Sequence, residues 1–178
     1  MTKLYCLTAF GVALLLVVLL YSWYRGIRRD RDLVARLGGA GAVEYRHGRV
    51  IGLYVTGCSF SSSEMHMLPT LKYLQELQID HASVHDEDLA ILRQLPHLQV
   101  LWLYDRTLGD SAIQRLTSLH QLKVLGIRLP QVTDCGLQLL TNLKTLKQLR
   151  IGGRDIGAES IDELRRALPS CYIEVEPD

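Results

Sequence analysis

The sequence lacks the residue patterns that mark most enzyme active sites. It has no glycine-rich phosphate loop, no G-x-S-x-G nucleophile elbow and no cysteine–histidine arrangement of a thiol enzyme. The glycines of residues 38–41 lack the preceding strand and the following helix that a nucleotide loop requires, so we interpret them as a cap and a turn. We therefore predict a protein that is not an enzyme and that has no cofactor.

Metal-binding residues are also few and scattered. The four cysteines are Cys6, Cys58, Cys135 and Cys171. His81 and His85 are four residues apart, but they fall on a predicted loop, where that spacing does not align their rings. The acidic run 86–88 is better explained as carboxylates at a helix N-terminus than as a calcium site. This pattern predicts no metal site, no disulfide framework and a reducing compartment.

Charge is missing altogether from residues 4–24. As a helix this run is about 31 Å long, at about 1.5 Å per residue, which matches the apolar core of a bilayer. Tyr5 stands near one end, and Tyr21, Trp23 and Tyr24 stand at the other, as in an interfacial aromatic belt. A cleaved signal peptide is the alternative, but Ser22-Trp23-Tyr24-Arg25, at the end of the run, does not supply the pair of small residues that cleavage needs. We predict an uncleaved transmembrane anchor over residues 1–24.

Positive charge is concentrated directly after this run. Residues 1–24 carry a net charge of +1, residues 25–49 carry seven arginines against three acids (+4), and residues 50–178 carry twelve bases against sixteen acids (−4). The positive-inside rule then places the C-terminal part in the cytoplasm, as a single-pass membrane protein. A mildly acidic domain on a basic stalk does not have the charge distribution of a nucleic-acid binder.

Leucine is abundant and recurs with a 24-residue period. The two strand columns are Leu53, Leu77, Leu101, Leu125, Leu149 and Ile173 and, two positions on, Val55, Ile79, Leu103, Ile127, Ile151 and Val175. Alternating apolar residues predict a short strand with one buried face, and the apolar residues spaced by three that follow predict a helix across it. One such unit cannot bury its own apolar face, so neighbouring units must stack.

Capping residues support these helices. Ser61 with Glu64 predicts a capping box, Asp110-Ser111 and Thr133-Asp134 predict two further helix starts, and Pro96 predicts a stop.

The L-x-x-L-x-L strand, the period and the helix start Thr133-Asp134-x-Gly136-Leu137 resemble the leucine-rich repeat family, over residues 50–175. The resemblance is greatest to the short repeats of many bacterial proteins. It implies an α/β solenoid with short parallel strands on the concave side, helices on the convex side and a role in protein–protein interaction. One departure puts the family's buried hydrogen-bond ladder in question. The loop position that usually holds Asn, Cys or Thr reads Cys58, Ala82, Arg106, Pro130 and Arg154.

Four segments are predicted. They are a transmembrane anchor (1–24), a basic juxtamembrane helix ended by Gly38-Gly39 (25–39), an N-terminal capping strand (40–49), and a solenoid of about five repeats with a terminal strand (50–178). A turn at His47-Gly48 would place the capping strand antiparallel to the first repeat strand, covering the open sheet edge. Capping at both ends predicts a complete solenoid.

Residues that alternate with the buried strand positions predict the binding face. The candidate binding residues are Tyr54, Gln78, Asp80, Trp102, Tyr104, Arg128 and Arg150. Tryptophan, tyrosine and arginine dominate protein interfaces. The sheet offers only roughly 400 Å², against the roughly 800 Å² of a standard interface, so loops 105–106, 129–130 and 154–155 must contribute. In the alternative interpretation these residues satisfy each other: Trp102 lies over Gly126, Arg128 stacks on Tyr104, and Arg150 pairs with Glu174.

The function expected from this resemblance is a membrane protein that presents a small repeat domain as a non-catalytic protein–protein interaction module. Its expected partners are an unidentified protein and the lipid bilayer around residues 4–24, not nucleic acid. The alternative is an F-box-like substrate receptor or a ribonuclease-inhibitor-like inhibitory protein. That alternative needs an F-box-like helical segment before the repeats or a longer horseshoe. A third possibility is an enzyme or metal protein whose site lies in the loops.

Overall fold

A seven-stranded sheet forms the centre of the fold. The computed structural model describes residues 2–36, 40–57, 60–152 and 156–176, with side chains described from residue 15 in the first helix and from residue 42 in the first strand. The strands are β1 (Ala40–Arg46), β2 (Arg49–Thr56), β3 (Glu76–Asp80), β4 (Val100–Tyr104), β5 (Val124–Arg128), β6 (Gln148–Gly152) and β7 (Tyr172–Glu176). They lie side by side in sequence order. Strands β2 to β7 are parallel and β1 is antiparallel to β2, so the predicted α/β class is confirmed.

One long helix precedes the sheet, and shorter helices connect the parallel strands. The α-helices are α1 (Thr2–Arg36), α2 (Ser62–Met65), α3 (Asp110–Leu116), α4 (Asp134–Leu139) and α5 (Ala158–Ala167). Shorter or tighter connections are 3₁₀ helices at Leu68–Thr70, Asp86–Gln94 and Leu140–Asn142. The second of these ends two residues before Pro96, which lacks the backbone N–H needed to continue a helix.

The register of the sheet follows the 24-residue period. Each residue of a parallel strand pairs with the residue 24 positions later, so that Leu53, Leu77 and Leu101 form one row across the sheet. These leucines are fully buried, and each contributes about 1.5–3 kcal/mol by leaving water. Val175 is the exception in its column, with 42% of its surface exposed, because it lies on the last strand and no helix follows that strand in the described residues.

A tight hairpin closes one edge of the sheet. His47 and Gly48 both have positive φ, at 50° and 74°, as a two-residue hairpin turn requires, and Arg46 pairs with Arg49 across it. The predicted turn and its antiparallel strand are therefore confirmed. The C-terminal part of α1 packs against this edge: Leu33 joins the core, and the buried Asp30 pairs with Arg49 at 3.6 Å.

The side chains of residues 2–14, which include the first half of the predicted anchor, and the predicted helix stop at Gly38-Gly39 lie outside the described residues. Within the described part of the chain, no helix has both the length and the apolar character needed to cross a membrane.

The helix caps agree with the sequence at two of three positions. Ser61 and Glu64 form the predicted capping box, and Thr133 caps α4 by accepting a hydrogen bond from the Gly136 N–H. The helix start predicted at Asp110-Ser111 is confirmed, but the predicted capping role is wrong, because Gly109 is the N-cap of α3 and no side chain caps it. The Asp110 carboxylate instead accepts hydrogen bonds from the Thr133 N–H (2.8 Å) and hydroxyl (2.6 Å) in the next unit.

Asp110 belongs to a column of aspartates that join successive units. Asp86 accepts a hydrogen bond from the Gly109 N–H at 3.3 Å, and Asp134 accepts one from the Gly157 N–H at 3.1 Å. Each carboxylate thus satisfies the backbone N–H of the N-cap residue in the following unit. These bonds hold the helix starts in line with the rows of the sheet.

Candidate functional site

One face of the sheet carries all seven candidate binding residues, and we call it the strand face: Tyr54, Gln78, Asp80, Trp102, Tyr104, Arg128 and Arg150. They occupy two adjacent rows. The first row runs through Tyr54, Gln78, Trp102, Gly126 and Arg150, and the second runs through Asp80, Tyr104, Arg128 and Gly152. All seven side chains are partly or fully exposed, so the face is accessible to a partner.

Trp102 is the centre of the strand face. Its indole ring lies over Gly126, where a Cβ atom would be 2.1 Å from Cε3 of the ring. The Tyr104 ring is beside it, with 6.3 Å between centroids and a tilt of 33°, and the Arg150 guanidinium lies 5.5 Å from the indole centroid. These contacts fix two aromatic rings and a cation in one surface cluster.

Acidic residues of the last strand hold Arg150. Its guanidinium donates to Glu174, with an Nη2–Oε2 distance of 2.9 Å, and its Nε lies 3.4 Å from Glu176. The hydrogen bond to Glu174, together with the two carboxylate charges, raises the pKa of Arg150. The Arg150 guanidinium is therefore held in place, and its charge is balanced by carboxylates of the same sheet.

The two tyrosines of the strand face remain protonated at neutral pH. Burial raises the pKa of Tyr104, and the charges of Glu176 and Asp80 add to this effect, while the arginines oppose it. Burial likewise raises the pKa of Tyr54, with a contribution from the carboxylate of Glu76. Both phenols are therefore neutral hydrogen-bonding groups at this pH.

Arg128 has more freedom than Arg150. It is exposed, and its Cγ lies 3.2 Å from the place that a Cβ on Gly152 would occupy. Two of the internal contacts predicted from the sequence are present, Trp102 over Gly126 and Arg150 with Glu174. The third was wrong, because among the described residues the cation on an aromatic ring of this face is Arg150, not Arg128.

Of the four described loop residues beside the strand face, two are exposed and two are buried. Arg106 and Pro130 are exposed, whereas Asp105 and Leu129 are only 4% and 2% exposed. The Asp105 carboxylate is used within its own loop, where it accepts hydrogen bonds from the Thr107 N–H and hydroxyl. Residues 154–155 lie outside the described residues.

A serine, a histidine and an aspartate meet elsewhere, a grouping that the sequence analysis missed. The Ser62 hydroxyl donates to Asp88 at 2.5 Å and lies 3.4 Å from Nδ1 of His85. In a catalytic triad the histidine takes the serine proton and the aspartate orients the histidine. Here Asp88 accepts directly from Ser62 and from the His85 backbone N–H, so the arrangement is a helix cap. The 24-residue period is a signal that could have found it. That offset places Ser62 beside Asp86, two residues from its observed partner Asp88.

Among the described residues, no group of three or more histidine, cysteine, aspartate or glutamate side chains could hold a metal ion. The sequence matches no family model and no curated protein.

Proposed function

We propose that the protein is a single-pass membrane protein that presents a small leucine-rich-repeat solenoid as a non-catalytic protein–protein interaction module. The observation that carries this proposal is the partly exposed cluster of Trp102, Tyr104 and Arg150 on the strand face. Large aromatic rings that are held rigid lose little freedom when a partner covers them, so they serve well as binding anchors.

The repeat supports the solenoid. The L-x-x-L-x-L strands recur every 24 residues, and the parallel strands pair with that same offset. The helices contact each other in sequence order, as stacked repeats require.

The anchor is supported by the uncharged run 4–24 and by the exposure of its described side chains. Leu15 to Leu20 are each more than half exposed, and Trp23 and Tyr24 follow with about half of their surface open. Six consecutive exposed apolar side chains are costly in water and favourable in a bilayer. The arginines that follow favour a cytoplasmic position for the sheet.

The charge of the strand face indicates the chemistry of the partner. Its two rows carry three carboxylates, those of Asp80, Glu174 and Glu176, against the two guanidinium groups of Arg128 and Arg150. Net negative charge around an aromatic centre favours a protein surface that carries lysine or arginine beside apolar residues. Such complementarity chiefly accelerates association and weakens with salt.

Substitution of the central ring tests this proposal. In capture experiments from membranes that contain the full chain, Trp102→Ala should weaken retention of the partner at least tenfold, as loss of a hot spot does. The melting temperature should stay within about 2 °C, because the ring lies on the surface of the sheet. Tyr45→Ala, which removes an exposed ring from β1, is the matched control and should leave capture unchanged. Unfolding of the Trp102 variant without a separate binding defect would refute the proposal.

A further inference from the structure

A basic pocket lies where α1 meets the first repeat unit. Its volume is about 560 Å³, and it is lined on the α1 side by Tyr21, Tyr24, Arg25, Arg28, Arg29 and Arg36. On the opposite side are Met67 and Thr70, which belong to the connection after α2. We call this cavity the headgroup pocket. None of its lining residues belongs to the strand face.

The charge inside the headgroup pocket is strongly unbalanced. Four arginines and one acid, Asp32, line it, which leaves three positive charges. The spacing of Arg25, Arg29, Asp32 and Arg36 places them along one side of the helix. Among the described residues, no carboxylate oxygen lies within salt-bridge distance of any of the four guanidinium groups, whereas the nearby Arg49 is paired with Asp30. The site therefore has an excess of cations, and none of its arginines is held in a described salt bridge.

The arginines are partly preorganised. The Arg25 guanidinium lies 5.6 Å from the centroid of the Tyr21 ring, and the Arg28 guanidinium lies 6.0 Å from that of Tyr24. Ring contacts of this kind restrict the long side chains without neutralising their charge. Leu33 and Met67 supply an apolar wall to the same cavity. Guanidinium groups around a partly apolar cavity suit an anion that has both a phosphate and an apolar portion.

We infer that the headgroup pocket binds a phosphate-bearing anion, presented as the headgroup of a phospholipid in the adjacent leaflet. The lipid source rests on the proposed membrane anchor, because the exposed apolar residues 15–20 directly precede the pocket and bring it to the membrane surface. Free phosphate shares the same anionic chemistry, so the test must separate the two sources.

Native mass spectrometry of the full chain in a neutral detergent measures this binding directly. The probes are short-chain phosphatidic acid, short-chain phosphatidylcholine and inorganic phosphate, each titrated alone. We expect one phosphatidic acid to bind with at least tenfold preference over phosphatidylcholine, and inorganic phosphate to bind more weakly. Arg29→Gln should weaken phosphatidic acid binding about fivefold, as loss of one arginine near an anionic surface does.

Arg31→Gln is the matched control, since Arg31 is exposed on the same helix two residues away but does not line the pocket. It removes the same charge and should leave binding unchanged. Thr70→Trp fills the pocket without changing any charge, and it should also abolish the preference. Equal losses for Arg29→Gln and Arg31→Gln would mean general surface attraction and would overturn the site. Equal affinity for inorganic phosphate and phosphatidic acid would overturn the lipid source.

Retention of the wild-type chain in phosphatidylcholine vesicles after an alkaline wash tests the anchor separately. If the chain is washed off while phosphatidic acid still binds in detergent, the proposed anchor fails and the pocket stands. If the chain stays in the vesicles but no phosphate-bearing probe binds, the anchor stands and the pocket proposal is overturned.

Discussion

The contact between Trp102 and Gly126 decides the shape of the strand face. A tryptophan can lie flat across a neighbouring strand only where that strand has no side chain at the facing position. Gly126 supplies this space, and the ring then comes within reach of Arg150. Gly126 is therefore needed because it leaves room for the indole ring, and not because of its backbone freedom.

Gly126→Ala should displace Trp102, because its new Cβ would be 2.1 Å from the indole. We expect partner capture to fall as far as it does for Trp102→Ala, and the intrinsic tryptophan fluorescence to shift to longer wavelength. Gly109→Ala is the control, since its Cβ would meet its nearest neighbour at an ordinary 3.6 Å. Unchanged fluorescence and full capture in Gly126→Ala would show that the ring position is unimportant.

The single residue Asp88 makes a pH-dependent contribution to the stability of the fold. Burial by itself would raise the pKa of Asp88, but hydrogen bonds from the Ser62 hydroxyl and the His85 N–H lower it overall. A carboxylate with a lowered pKa in the folded state stabilises the fold above its unfolded pKa of about 3.9. That stability is lost as the pH falls through the lowered pKa of the folded state.

Asp88→Asn should therefore cost about 1 kcal/mol of unfolding free energy at pH 7. At pH 2 the difference from the wild type should be smaller, because this stability is lost as the pH falls through the lowered pKa of the wild-type carboxyl. Urea unfolding of the full chain in detergent at both values measures this change. Glu87→Gln, at the exposed neighbouring position, is the control. A loss that is the same at both values would contradict the assignment.

At the scale of the elements, the aspartate column connects each helix start to the next. Asp110 makes two hydrogen bonds to Thr133, and Gly136 leaves room for its carboxylate, since a Cβ there would be 2.0 Å from Oδ1 of Asp110. The glycine of the Thr133-Asp134-x-Gly136 motif thus has a specific neighbour in the preceding unit. The aspartate column therefore supplies hydrogen bonds from side chains to the backbone of the next unit. It occupies a different position in the repeat from the loop residues that form the hydrogen-bond ladder in the leucine-rich repeat family.

Asp110→Ala should lower the unfolding free energy by about 1–2 kcal/mol, because it leaves the Thr133 N–H without its acceptor. Asp162→Ala is the control, since Asp162 is exposed and pairs only on the surface with Arg165. That control should change stability by less than about 0.5 kcal/mol. Chemical unfolding followed by circular dichroism measures both. Equal effects would show that the aspartate column does not join the units.

The rows of the sheet could be predicted from the sequence, but the links between helix starts could not. Leu101 and Leu103 alternate and recur, so their burial and register follow from the period alone. Asp110 looked like a cap because aspartate commonly starts helices, and its real partner lies in the next unit. A local rule cannot identify such a partner. The predicted burial of Val175 was wrong for a similar reason. Burial at the end of the sheet depends on whether another unit covers the last strand.

The candidate site shows the same limit. The strand register alone predicts that the seven side chains lie on one face, because each is a fixed number of positions from a buried leucine. The orientation of the long side chains could not be predicted, because Arg128 and Arg150 each have several carboxylates and rings within reach. Packing over Gly126 and pairing with Glu174 resolve that choice for Trp102 and Arg150.

At the scale of the whole molecule, α1 joins the proposed anchor to the sheet. The buried pair of Asp30 with Arg49 and the packing of Leu33 fix the end of α1 against β2. The Arg49 guanidinium also lies 4.9 Å from the centroid of the Tyr73 ring, whose neighbour is the stacked His97. A rigid junction of this kind would hold the strand face in a fixed orientation relative to the membrane.

The most direct test of a membrane-anchored interaction module is protease protection of a C-terminal epitope tag in sealed vesicles of known orientation. The arginines after residue 24 predict that the tag is protected from protease on the extracytoplasmic side and is digested once the vesicles are opened. The partner is then a cytoplasmic protein. Digestion of the tag in intact vesicles from the extracytoplasmic side would contradict the account and place the strand face outside the cytoplasm.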